Sequence, residues 1–521
     1  MREFFYKIIV GLFLLHAVSG NQNEGRYDKI SGEKLSTTRM ASFYGPTYKL
    51  APENLTRQRK RNVNGQRGFR KHIKSWLNPL HGVIANLDTP VYSVRSSRNR
   101  HRPVIEEHPN VIRHIMSNLY DDIAHASTLD INKANDRNKS TNGYQRPTPH
   151  ITGHRMKYVP KQINRYSRPI SNSIYANITF YRENYNLVRT DSNSSNHIPL
   201  TEKKTLEPPK IIYPEILVIV DYAYYKLFNR SIWALVPYLL AFFNGVDMRF
   251  RGLTKPKVRL NIAGILIAED PKALSFVRSN VRGHRNLYVG EAIENKRSWL
   301  FQQKYKIPLD SYDIAVTLTS YELQAQDLDD SDNQIKMKGI ATKQGACMID
   351  KEFGLVLETA IVNDLGAYDG IMAAAHEIGH LLGADHDNDN KYCAYNQGYV
   401  MSPFLVYKTT SWNWSPCSRS NFRIFFRSGK GTCLFNKPKR GTEIPRLLPG
   451  KLLDADGQCQ MLGSSSADKL DDLMCIDLVC NENENSIVQR YFKFGAADGT
   501  KCGIGKICIH GSCIYENEIS Y

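Results

Sequence analysis

Between His376 and Asp387 the chain reads His-Glu-Ile-Gly-His-Leu-Leu-Gly-Ala-Asp-His-Asp. Few stretches restrict a fold so tightly. His376 and His380 stand four residues apart behind a helix-favouring run, Asp369 to Ala375, so one helical face carries both imidazoles. Gly383 can take positive φ and end that helix sharply, and the turn brings His386 round as a third imidazole. Zinc held by three neutral nitrogens keeps its fourth position for water, the arrangement of a catalytic rather than a structural site. Glu377, beside the first ligand, points toward that water and is the candidate general base. The histidines from His72 to His284 lack ligand spacing and read as surface or loop residues.

The texture around this motif is that of an α/β layer. Glu215 to Asp221 is a β-branched run of strand length, and residues 222 to 243 carry apolar groups at helical spacing. Val258 to Ala268 reads as a strand, Gly290 to Lys304 as a helix, and Tyr312 to Leu318 as a third strand. Gly339 to Thr342 and Leu355 to Val362 add two more. Strands alternating with helices predict a mixed, mostly parallel five-stranded sheet.

Charge divides the chain of 521 residues unevenly. Residues 21–210 carry a net +17 and no cysteine, whereas residues 211–521 are electrically balanced. The +18 of the whole chain is therefore no basic field around the motif, and a nucleic-acid enzyme is excluded. Residues 1–20 have a charged start, a short apolar run and small residues before Asn21, the pattern of a secretory signal. Sequons at Asn54, Asn138, Asn177, Asn193, Asn229 and Asn413 fit that route. No later apolar run is long enough to span a membrane. Residues 21–210, rich in Asn, Ser, Arg and His, predict a loosely folded, propeptide-like region. Its basic clusters at residues 57–61 and 67–70 read as processing sites or as solvated charge. After Pro445, six of the ten cysteines fall in the last part of the chain, which predicts a small stapled module over residues 445–521.

His376 to Asp387 resembles the extended zinc signature of the metzincins, and Asp387 after the third His resembles the adamalysin (reprolysin) branch. Gly398-Tyr399-Val400-Met401-Ser402-Pro403 resembles that family's Met-turn, with Met401 under the zinc site. Trp414 to Ser418 and Cys433 to Pro438 look like the end of a reprolysin domain, so the resemblance covers about residues 211–438. It implies an α/β metzincin domain with an active-site cleft and a small lower subdomain. It also implies two disulfides, Cys347 with Cys433 and Cys393 with Cys417, although sequence alone leaves three pairings open. Glu215, Asp313 and Asn436 match positions that hold a structural calcium in many relatives, with help from the Cys433 carbonyl. Ordinary polar residues at strand ends are the alternative reading. Gly339 to Cys347 resembles the edge strand against which an extended peptide lies, and Ser402 to Val406 resemble a wall of the pocket beside the scissile bond.

The last segment is similar to the disintegrin-like or cysteine-rich module of ADAMTS enzymes, through Leu448-Pro449-Gly450, Gln458-Cys459-Gln460, Cys475, Cys480, Asp498 to Gly503, Cys508 and Cys513. It departs from that pattern in having six cysteines where relatives usually have eight. The expectation is a secreted zinc metalloendopeptidase made as a preproprotein, resembling tick salivary or parasitoid venom enzymes. Protein or peptide substrates follow, with extracellular-matrix or host plasma proteins as candidates. A catalytically silent binding protein acting through its cysteine-rich module is the alternative. Latency must work without a propeptide thiolate, because every cysteine lies at or after Cys347. Lys203-Lys204 is a weak candidate for the maturation cut.

Overall fold

A computed structural model describes residues 85–97, 103–117, 206–326, 334–388, 391–404, 408–438, 447–483, 488–492 and 494–518. The signal, the basic clusters, Lys203-Lys204, Leu405, Val406 and the sequons at Asn54, Asn138, Asn177 and Asn193 lie outside these residues. Asn229 and Asn413 lie within them, and both are exposed.

The central sheet is built from β1 (Val91–Arg95), β2 (Val104–His108), β3 (Glu215–Val220), β4 (Asn261–Ala268), β5 (Ile314–Thr319), β6 (Gly339–Ala341) and β7 (Thr359–Asn363). Across the sheet the order is β6-β7-β5-β3-β4-β1-β2. β3 runs parallel to β4 and β5, and β5 parallel to β7, while the edge strand β6 is antiparallel to β7. These five strands form a mixed, mostly parallel sheet. Two more come from the basic segment, since β1 pairs in parallel with β4 and antiparallel with β2, and helix α1, residues 111–117, follows them. Among the described residues the sheet therefore has seven strands, not five.

Alternation along β3 sends its side chains to two cores. Ile216, Val218 and Val220 face the core that holds helix α2 (Tyr222–Leu227), α3 (Ile232–Phe250) and α5 (Ile371–Leu381). Leu217 and Ile219 face the opposite core, closed by α4 (Val289–Gln302). The single helix expected over residues 222–243 is two. Asn229 and Arg230 take positive φ, and Ser231 then caps α3 by accepting from Ala234 N. Apolar spacing continues through that turn, so periodicity alone could not reveal it. Leu355 to Val362 likewise splits, into a two-residue strand at Leu355–Val356 and β7.

The cysteine-rich module packs around its own small core and three disulfides, Cys459–Cys480, Cys475–Cys508 and Cys502–Cys513. It is fastened to α3. Asn244 Nδ2 donates to Leu447 O at 2.8 Å, and Arg249 Nη1 meets Asp498 Oδ2 at 2.7 Å with both side chains at most 5% exposed. Among the described residues no helix is long and apolar enough to cross a membrane.

Candidate active site

α5 is almost wholly buried, and both of its imidazoles are fixed from behind. His376 Nδ1 lies 2.7 Å from Val400 O, and His380 Nδ1 lies 2.9 Å from Ala384 O. A carbonyl can only accept, so each Nδ1 carries the proton and each Nε2 keeps its lone pair. The chain turns at Gly383, where φ is +102° and a Cβ would stand 2.6 Å from Phe425. That turn returns His386, whose Nε2 lies 3.1 Å from the Nε2 atoms of both His376 and His380. Three lone pairs thus converge on one point. Zinc–nitrogen bonds of about 2.0–2.1 Å in tetrahedral geometry place ligand nitrogens roughly 3.3 Å apart, so the spacing fits that ion. Burial and the two neighbouring imidazoles hold His376 well below the usual histidine range, and burial pushes His380 down to about 4. Both are held in the neutral form that metal binding requires.

Glu377 is 1% exposed and lies against the edge strand. A Cβ built on Gly339 of β6 would stand 2.5 Å from Glu377 Oε1, so the backbone of β6 runs directly past this carboxylate. β6 is the terminal strand of its sheet, and the chain after it is tied to the end of α5. Gln344 N donates to His380 O at 2.8 Å and Ala346 N to Leu381 O at 3.2 Å. The last carbonyls of the helix are satisfied by the segment leaving that edge strand. Met401 is fully buried beneath the helix, and a Cβ on Gly379 would stand 2.8 Å from its sulfur. Asp387 N donates to Met401 O at 2.8 Å, while Asp387 Oδ1 accepts from Ser415 at 2.5 Å. Asp387 therefore ties the third histidine to the Met401 turn.

The other sequence candidates, Glu215 and Asp313, stand together at the N-terminal ends of β3 and β5. Glu215 N donates to Asp313 Oδ2 at 2.9 Å, and Asn436 Nδ2 donates to Glu215 Oε2 at 2.6 Å. Burial first, and Glu215 after it, push Asp313 up to about 8. Disulfides join Cys347 to Cys433 and Cys393 to Cys417, and Cys347 N donates to Asp313 O beside the carboxylates. Ser402 is buried and holds the turn by donating to Tyr395 O at 3.0 Å, while Phe404 is exposed.

One cluster has no sequence signature. Asp364, in the loop before α5, accepts from Tyr224 and Tyr238 hydroxyls at 2.7 Å each and from Gly366 N at 2.9 Å. Its other oxygen accepts from Gly370 N, the N-cap of α5, at 2.8 Å. Beside it, Lys338 Nζ pairs with Asp369 at 2.9 Å. These contacts fix where the helix bearing His376 and Glu377 begins. The tyrosines lie 140 and 126 residues away in sequence, so no local pattern announces them.

Comparison with known proteins agrees with this geometry. Residues 302–438 match the family described as Reprolysin (M12B) family zinc metalloprotease, and residues 449–514 match ADAMTS cysteine-rich domain 2. The chain is 36% identical over 323 residues to a Bombyx mori protein called "A disintegrin and metalloproteinase with thrombospondin motifs like", covering 60% of this chain and 46% of that one. It is 30% identical over 273 residues to "Venom metalloproteinase 3" of Eulophus pennicornis, covering 49% and 61%. Against "A disintegrin and metalloproteinase with thrombospondin motifs 1" of Mus musculus it is 27% identical over 338 residues, covering 62% and 32%. The chain spans less than two thirds of each of these relatives.

Proposed function

We propose that this chain, which carries a reprolysin (M12B) domain followed by an ADAMTS cysteine-rich domain, is a secreted zinc-dependent endopeptidase that cuts extended segments of extracellular proteins. The observation that carries this reading is the convergence of three Nε2 atoms, that of His386 lying 3.1 Å from each of the other two, next to a buried Glu377. His376, His380 and His386 would hold the ion. Bound there, zinc supplies Lewis-acid polarisation of the scissile carbonyl and a water of lowered pKa. Glu377 accepts the proton of the attacking water and returns it to the leaving amine. The free side of β6 offers a ladder for an extended substrate, which lays its scissile bond beside Glu377. Met401 supports the histidines from below. Intact Glu377 and three complete ligand positions weigh against a silent binding protein.

Glu215, Asp313 and Asn436, with the Cys433 carbonyl, would hold a structural calcium. Two carboxylates meet there in a partly buried place, and a divalent cation relieves their repulsion. One experiment separates the two ions. After exhaustive chelation, zinc alone restores peptide cleavage, whereas calcium alone raises the unfolding temperature and restores no cleavage. Cleavage that survives chelation in a zinc-free preparation overturns the zinc reading, and an unfolding temperature indifferent to calcium overturns the second site.

A further inference from the structure

β4 is apolar and buried on both faces, the texture of a strand with neighbours on either side. Its outer neighbour is β1, in parallel register from Val91 opposite Ile265 to Val94 opposite Ala268. The ladder is closed at both ends, by Ile265 N donating to Pro90 O at 3.0 Å and Glu269 N donating to Val94 O at 2.9 Å. Beyond it, Ser96 N donates to Asp270 Oδ2 at 2.6 Å, and Arg95 is ion-paired with Glu269.

The side chains of this segment belong to both cores. Val91 joins the core beneath α3 and α5, and Val94 the core on the opposite face. The helical residues 111–117 then add Ile112, Ile115 and Met116 to the first core, each at most 5% exposed. β2, outermost, is largely exposed and carries Glu106 and Glu107, charges that keep an edge from recruiting another strand. With the hairpin in place, the sheet ends on a charged strand. Without it, the sheet would end on the apolar β4.

We infer that residues 85–117 are a permanent part of the folded protein, retained on the β4 edge without any covalent link once the chain is cut between residues 118 and 205. No cysteine precedes Cys347, so no disulfide tethers the segment. Its hold is the ladder and the two cores. β6, beside Glu377, is the first strand of the sheet and β1 the sixth, about 24 Å apart at 4.8 Å per strand. Residues 85–117, held there, sit at the far edge of the sheet from β6 and Glu377. This inference does not depend on the peptidase reading.

The test uses the full chain with a site-specific protease recognition sequence placed between residues 140 and 150. After cutting, native size-exclusion chromatography followed by denaturing electrophoresis reads whether the two fragments travel together. Co-elution at a one-to-one ratio, lost only in denaturant, is the expected result. Separation of the N-terminal fragment, whether or not the remainder stays in solution, overturns the inference. Val91→Asp combined with Ile112→Asp places charges in both buried positions and releases about tenfold or more of the fragment, whereas Val104→Asp on the exposed strand releases none. Equal retention by both variants also overturns it. If the double variant does not accumulate, the wild-type separation decides alone.

Discussion

At the scale of single residues, what the sequence revealed and what it hid differ by distance along the chain. The three histidines and Glu377 fall within eleven residues, and helix geometry alone brings two of them to one face. Asp364 fixes the start of the same helix, yet its tyrosine donors come from α2 and α3, more than a hundred residues earlier. Burial raises Asp364 to about 7, with Asp369 adding to the effect. A folded pKa above the unfolded one means its contribution is full below about pH 4 and is lost as pH rises through 7. Asp364→Asn keeps one acceptor and turns an amide toward hydroxyl and backbone donors, at a cost of about 1–3 kcal/mol. Thermal unfolding of the two proteins should therefore differ clearly at pH 5.5, and the gap should narrow at pH 8.5. A gap that widens with pH contradicts the ionisation assigned to Asp364.

Among elements, β-branched runs and alternation marked the central strands, because a strand buried on both faces is apolar throughout. The turn at Asn229 and Arg230 escaped although Asn takes a left-handed backbone more readily than most residues, because the apolar spacing runs on past it. β6 was legible as a strand, but its place at the edge came only from the resemblance, and its contact with Glu377 depends on tertiary packing. That contact makes Gly339 a sensitive position. Gly339→Ala puts a methyl group 2.5 Å from Glu377 Oε1, and the carboxylate must shift aside. Misplacing a reacting group by about 1 Å costs on the order of 10²-fold in rate. Peptide turnover should fall by that order while zinc stoichiometry stays unchanged. Wild-type turnover in this variant would show that Glu377 is not held by the strand.

For the whole molecule, composition suggested a basic segment, a balanced domain and a cysteine-rich end, but it hid how they join. The basic segment supplies two strands, and the module is bolted to α3 through a buried ion pair. Asp498 also accepts from His510 N at 2.7 Å, while Trp414 Nε1 donates to Arg249 O at 2.8 Å. Removing one member of such a pair strands its partner in a dry site, a loss of about 3–5 kcal/mol. Calorimetry of Arg249→Ala should show the cysteine-rich module unfolding earlier than in the wild type, and Arg249→Ala with Asp498→Ala should recover part of that loss. A single variant as stable as the wild type would sink the idea that this pair fastens the module.

The central claim is that the histidine cluster and Glu377 make a zinc peptidase, and Glu377→Gln tests it most directly. Glutamine has nearly the shape of glutamate, so His376, His380 and His386 remain in place and zinc should still bind near one ion per chain. What disappears is the base that accepts the water proton, a contribution of about 10²–10⁴-fold or more in rate. Zinc content and peptide cleavage measured on the same purified variant should show metal retained, with cleavage lowered by at least that factor. Cleavage at the wild-type rate, with zinc bound, would contradict the account.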